Sequence, residues 1–161
     1  MEVMANGSLN YTVKGICIGM KVTWNYTPPT NGGDTFTSIK KGSKATLKIV
    51  QDEKNGFVKE LYIQKEPDID NRTFEAQLQK TVEQLQITYP FLSVKNKKNG
   101  TYLIDIPQEK RLGHEEHFSK VAKAFLHYVH NQYMPEWENE NTLAKYYITT
   151  TAVEMAKKGN K

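Results

Sequence analysis

The sequence is poor in the residues that build self-contained chemistry. Cysteine occurs once in 161 residues, at Cys17, which excludes an internal disulfide and an all-cysteine metal cluster. Cys17 sits in an apolar run and reads as a small buried hydrophobe. A single thiol leaves the redox compartment open. No apolar run approaches the roughly 20 residues that a membrane-spanning helix needs. Residues Met1 to Ser8 hold no basic segment followed by an apolar one, so no secretory signal is expected. Gly-x-Gly-x-x-Gly and Gly-x-Ser-x-Gly are both absent, which removes a dinucleotide fingerprint and a serine-hydrolase elbow. Gly32-Gly33-Asp34 lacks a flanking strand and helix and is not a phosphate-binding loop.

Charge of one sign is also scarce. The net charge is +4, but Lys and Glu alternate along most segments. The longest basic cluster is Lys95-Asn96-Lys97-Lys98, inside an expected hairpin turn. Nucleic-acid binders concentrate positive charge on one face, so nucleic acid is not an expected partner.

Aromatics are plentiful, with nine Tyr, six Phe and two Trp, and supply large surfaces to bury. Ile16, Ile18, Met20, Val22, Trp24 and Tyr26 alternate strictly, predicting one long strand with a bulge or bend near Gly15 or Gly19. Further strands are predicted at about 35–39, 45–50 and 57–64, the last two joined through Asn55-Gly56. After Pro67 the period changes: Asp70 or Asn71 caps a helix whose Phe74, Leu78, Val82, Leu85 and Tyr89 recur at helical spacing. Leu92-Ser93-Val94 and Tyr102 to Ile106 flank the hairpin signal Lys98-Asn99-Gly100. Helices are predicted at about 114–131 and 140–157, the second apolar over a wide arc and so covered on two sides. Strands grouped rather than alternating with helices indicate one α+β domain over residues 1–161. Its largely antiparallel sheet has about six strands, one face covered by three helices.

His114 and His117, then His127 and His130, form two His-x-x-His pairs. At about 1.5 Å rise per residue the pairs lie roughly 20 Å apart on one helix and cannot share an ion. Gly113-His114-Glu115-Glu116-His117 also lacks the metalloprotease spacing. Helix-start polar contacts or ligand hydrogen bonds remain for His114 and His117, and a solvated flank for His127 and His130. Glu115 and Glu116 diverge by about 100° on a helix and do not face one substrate atom together; they suit the helix N-terminus. Trp24 and Tyr26 share a strand face with Ile18 and Val22, either as core or as a sugar-stacking platform.

The ordered motifs Trp24-x-Tyr26-x-x-Pro29, Gly33-Asp34-Thr35 and Gly42-x-Lys44-Ala45-x-Leu47 continue with Gly113-His114-Glu115-x-His117-Phe118 and Pro135-x-Trp137-Glu138. Ala144-Lys145-Tyr146-Tyr147-x-Thr149-Thr150-x-Ala152-Val153-Glu154 follows. Together, from about residue 9 to 157, they resemble the C-terminal domain of oxidoreductases related to the Gfo/Idh/MocA group. The resemblance implies an N-terminal Rossmann domain elsewhere that binds NAD or NADP and holds the lysine of a Glu-Lys-Pro motif. It also implies a bacterial parent, cytoplasmic or exported, with sugar or polyol-like substrates and homo-oligomer contacts through the sheet. This chain has neither the Glu-Lys-Pro motif nor the fingerprint, so it is expected to be inactive alone. By that resemblance Trp24, Tyr26, Asp34, His114, Glu115 and His117 are the candidate substrate-binding residues. No catalytic, cofactor-binding or metal-binding residue is expected in this chain. A stand-alone sheet-based binding module, or a metal-dependent hydrolase using His114 and His117, are the alternatives.

Overall fold

The first apolar alternation folds back on itself. In the computed structural model, which describes residues 6–159, β1 (Gly7–Val13) pairs antiparallel with β2 (Ile16–Val22). Lys14 and Gly15 join them with φ of 50° and 79°, the two left-handed positions that a tight hairpin turn requires. The long strand expected from Ile16 to Tyr26 is therefore corrected. Gly15 serves a turn rather than a bulge, and the strand ends at Val22. The register sets Leu9 opposite Met20, Tyr11 opposite Ile18 and Val13 opposite Ile16, so one face of the hairpin is wholly apolar. Ser8, Asn10, Thr12 and Cys17 line the other face. Cys17 is exposed there, with Sγ 3.9 Å from the Thr12 hydroxyl, which corrects its reading as a buried hydrophobe.

The other strands make a five-stranded antiparallel sheet. They are β3 (Phe36–Lys41), β4 (Ala45–Gln51), β5 (Glu60–Lys65), β6 (Ser93–Asn96) and β7 (Thr101–Asp105), ordered β3-β4-β5-β7-β6. Between β4 and β5, Asp52 and Asn55 close a capping box around a single 3₁₀ turn, and Gly56 ends it at φ 64°. The β6–β7 connection uses Lys98, Asn99 and Gly100, all with positive φ, as the Asn-Gly signal predicts. Helix α1 (Asn71–Gln86) crosses from β5 to β6. Its N-cap is Asp70, whose carboxylate accepts from the Thr73 backbone N–H at 2.8 Å. That bond, first among several causes, holds the Asp70 carboxyl below its ordinary range.

Register decides what each sheet face can do. Leu47, Ile49, Leu61, Ile63, Tyr102 and Ile104 fall on one side. Phe74 of α1 lies 5.6 Å from the Tyr102 ring, so α1 covers that apolar side. Among the described residues, Val82, Tyr102 and Leu103 are the buried hydrophobic ones. The opposite side carries Lys48, Tyr62, Gln64, Lys95 and Asp105 together with the buried Leu103 and Thr46, with Lys95 and Asp105 paired at 2.6 Å.

Helix α2 (His114–Asn131) has the expected bounds, and α3 (Glu136–Gly159) begins four residues earlier than expected. Pro135 immediately precedes α3, and Glu136 and Glu138 occupy its first turn, which favours an earlier start. Backbone contacts gather into two units. The first joins the described residues up to Thr27 with those from His114 onward, and the second is Pro28–Gly113. Among the described residues the architecture is α+β, with seven strands against the roughly six expected, because Gly7–Val13 forms a strand of its own. The expectation that α3 is covered on two sides is corrected as well. None of its described residues is buried.

Candidate functional site

His114, Glu115 and His117 occupy the first turn of α2, and all three are exposed. Trp24 follows β2 directly; its backbone N–H donates to Asn6 Oδ1 at 2.6 Å and its side chain is 75% exposed. Tyr26 is exposed too. The core role considered for these two rings is therefore excluded, and so is the strand face they were expected to share with Ile18 and Val22. Exposed aromatic faces are open to an apolar sugar surface. Asp34 is exposed just ahead of β3, in the second unit. Among the described residues, no hydrogen bond or ring contact joins Trp24 or Tyr26 to His114, Glu115 or His117. No group of three or more His, Cys, Asp or Glu side chains among the described residues is placed to hold a metal ion. His127 and His130 lie on the exposed flank of α2, and the Asn131 amide sits 3.0 Å from the His127 ring.

The second unit has polar hollows that sequence reasoning missed. One, of about 320 Å³, is bordered by Asp52, Lys54, Asn55, Glu60, Tyr62 and Lys97. The chain must fold back after β4 before Asp52 comes near β5, so no short motif announces it. The local signal is Glu60-x-Tyr62, two positions apart and thus on one strand face. The Tyr62 hydroxyl donates to Glu60 Oε2 at 2.6 Å. That bond, then burial, then the charges of Glu60 and Asp52, pushes the phenol up to about 12. Tyr62 is therefore a hydrogen-bonding group at neutral pH, not an acid or base.

The sign of the effect follows. A raised phenol favours folding fully below the ordinary tyrosine value of about 10, and that contribution is lost as pH rises through about 12. Phenolate absorbance of the wild type minus that of Tyr62→Phe is expected to show one tyrosine ionising near pH 12. A difference curve centred near pH 10 would show that the Glu60 bond does not persist in solution.

A second hollow of about 430 Å³ adjoins Gln64, Lys65, Asn99 and Gly100. The Lys65 ammonium donates to the carbonyls of Glu66, Pro67 and Ile69. The Gln64 amide donates to Asn99 O at 3.1 Å and its carbonyl accepts from Thr101. The first hollow offers donors and acceptors suited to a polar ligand, whereas Gln64 and Lys65 beside the second are already engaged.

Similarity to known proteins agrees with this architecture. Residues 1–157 match the family described as "Putative oxidoreductase C terminal domain". A crystal structure of a putative oxidoreductase from Parabacteroides merdae superposes with a TM-score of 0.90 at 39% identity, covering 94% of this chain and 35% of that one. The present chain thus spans about a third of that protein's length. No curated protein matches it. With a match running almost end to end, the chain belongs to the family of putative oxidoreductase C-terminal domains.

Proposed function

We propose that this chain is the C-terminal domain of an NAD(P)-dependent oxidoreductase of Gfo/Idh/MocA type, acting on sugar or polyol-like substrates. The observation that supports it is the family match over residues 1–157 in a chain that lacks a dinucleotide fingerprint. In this reading the dinucleotide, bound by the parent's N-terminal Rossmann domain, accepts or donates the hydride. The residues of this chain bind and orient the substrate. Imidazoles at His114 and His117 and the Glu115 carboxylate offer donors and an acceptor for hydroxyl groups. Trp24 and Tyr26 offer ring faces for the apolar side of a sugar, and Asp34 a further acceptor. The side of the five-stranded sheet away from α1 serves homo-oligomer contacts.

The test is a dehydrogenase assay on the full-length polypeptide of this gene and on the 161-residue chain, with NAD or NADP against a panel of sugars and polyols. The full-length protein is expected to turn over, and the short chain to show no turnover. In the full-length protein His117→Ala should raise KM for the sugar roughly tenfold, the loss of about one hydrogen bond to substrate, and leave KM for the dinucleotide unchanged. Turnover by the short chain alone, or a full-length product without nicotinamide-dependent activity, defeats the proposal.

A further inference from the structure

We infer that Phe57 is a positioning residue for the Asp34 carboxylate, and that its left-handed backbone is kept so that the ring can fix the chain beside Asp34. Asp34 enters as the acceptor for substrate hydroxyls in the function proposed above, on which this role of Phe57 rests. Every contact involved lies within the second unit, Pro28–Gly113.

Phe57 has a φ of 60°. In that left-handed region Cβ crowds the following carbonyl oxygen, and a bulky aromatic residue rarely enters it. Gly56, one residue earlier, meets the same demand at φ 64° without a side chain; glycine or asparagine at position 57 would serve the backbone better. The surrounding turn leaves Phe57 no choice. Asp52 O accepts from the Asn55 and Phe57 N–H groups at 3.3 and 2.7 Å. The Asn55 side chain is bonded at both ends, its carbonyl accepting from Asp52 N and its amide donating to Val50 O, each at 2.9 Å. Strain held in place by its surroundings points to a task for the residue that carries it.

The ring shows what that task is. A methyl group placed on Gly33 would stand 3.5, 3.6 and 3.8 Å from Cβ, Cγ and Cδ1 of Phe57, so the ring lies against the Gly33 backbone. Leaving out Gly32 and Asp34, those are the three nearest atoms. Just upstream the loop folds on itself, with Gly32 N–H donating to Pro29 O at 2.7 Å across Asn31 at φ 61°. Downstream, Phe36 opens β3 opposite Gln51, and the Lys59 ammonium stands 5.2 Å from its ring centroid. Phe57 and Lys59 thus hold the run 33–36 at its two ends, and Asp34 lies between them. Among the described residues of the second unit, no hydrogen bond or ion pair reaches the Asp34 carboxylate, so its place is set through the backbone. A carboxylate bonds a hydroxyl over a window of about 0.5 Å, and a Gly33 freed from the ring gives up that precision.

Two variants separate ring from backbone. Phe57→Asn removes the ring and accepts the left-handed conformation, whereas Phe57→Tyr keeps both. Nitrogen-15 relaxation of the 161-residue chain should give order parameters of about 0.85 at Gly33, Asp34 and Thr35 in wild type and Phe57→Tyr, falling below about 0.6 in Phe57→Asn, with β4 and β5 unchanged. Undiminished order at Asp34 in Phe57→Asn overturns the inference. So does a loss spread equally over β4 and β5, which would make the ring a prop of the whole sheet. In the full-length polypeptide of the gene, Phe57→Asn should raise KM for the sugar or polyol roughly tenfold, with kcat and the KM for the dinucleotide unchanged, and Phe57→Tyr should keep the wild-type value. Gly33→Val, which leaves Phe57 and its turn intact and crowds the ring from the other side, should raise KM alike. Asp34→Ala should match Phe57→Asn, and the double variant should be no worse than either, because the ring acts through the carboxylate. Fully additive effects overturn that route. If Phe57→Asn loosens Asp34 while Asp34→Ala leaves KM unchanged, the placement by Phe57 stands and Asp34 is removed from the function proposed above.

Discussion

Tyr102→Ala is expected to destabilise the second unit strongly. The ring is 4% exposed and stands between β7 and α1, 5.6 Å from Phe74, and its hydroxyl donates to Glu75 Oε1 at 2.8 Å. Truncation to alanine removes a buried aromatic and leaves a cavity under α1, a change that costs about 3–5 kcal/mol. Against a total stability of about 5–15 kcal/mol for a domain, that is a large fraction. With a urea slope of about 1–3 kcal/mol per molar, the unfolding midpoint should fall by more than about 1 M. Tyr102→Phe isolates the hydroxyl: it keeps the ring contact and gives up one hydrogen bond, for about 1 kcal/mol. Equal losses in the two variants would mean that the Glu75 bond, and not packing against Phe74, holds α1 to the sheet. The signal must come from the second unit, for which the Lys95–Asp105 pair and the buried Leu103 are local landmarks.

The places where sequence and structure agree share a physical cause. Strands β3, β4, β5, β6 and β7 were legible because apolar residues alternate within a few residues of strong turn chemistry, such as Lys98-Asn99-Gly100. Helix α1 was legible because Asp70 and the Phe74-Leu78-Val82 spacing are both local signals. The hairpin departs from the expected long strand for an equally local reason. The alternation from Ile16 runs on through Trp24 and Tyr26 without a break, while Lys14-Gly15 is a less familiar turn pair than Asn-Gly. What stops β2 at Val22 is the end of its pairing with Gly7, a nonlocal fact.

The candidate site divides along the same line. His114, Glu115 and His117 could be placed at a helix start from sequence, and the structure puts them there; their substrate role came from family resemblance alone. The Glu60–Tyr62 bond was readable in principle as an i, i+2 pair, but Asp52 joins it only through the capping-box turn. The burial of Lys65 had no sequence signal, because lysine near a strand end is almost always solvated.

Lys65 is also where the second large effect is expected. Its side chain is buried, at 8% relative exposure, and its ammonium donates to the carbonyls of Glu66, Pro67 and Ile69. Those residues form the link between β5 and the Asp70 cap of α1. Burying an ammonium is costly, and exchanging a buried ion pair for apolar side chains is often neutral or better. That outcome requires both partners to be replaced. Here the partners are backbone carbonyls, which no substitution removes, so Lys65→Met strips the donors and leaves the acceptors behind. Hydrogen bonds to a charged group contribute about 1.5–3 kcal/mol, and an abandoned buried acceptor costs about 1–3 kcal/mol; water reaching part of the link keeps the expected loss near 3 kcal/mol. Lys65→Arg should recover little of it, because a planar guanidinium cannot aim three donors at carbonyls gathered round one point. Urea unfolding gives the size of the loss. Hydrogen exchange gives its place: residues 66–74 should open first, while the β6–β7 amides keep their protection. A Lys65→Met protein as stable as wild type would show that these carbonyls are served by water and that the ammonium is not what holds the link.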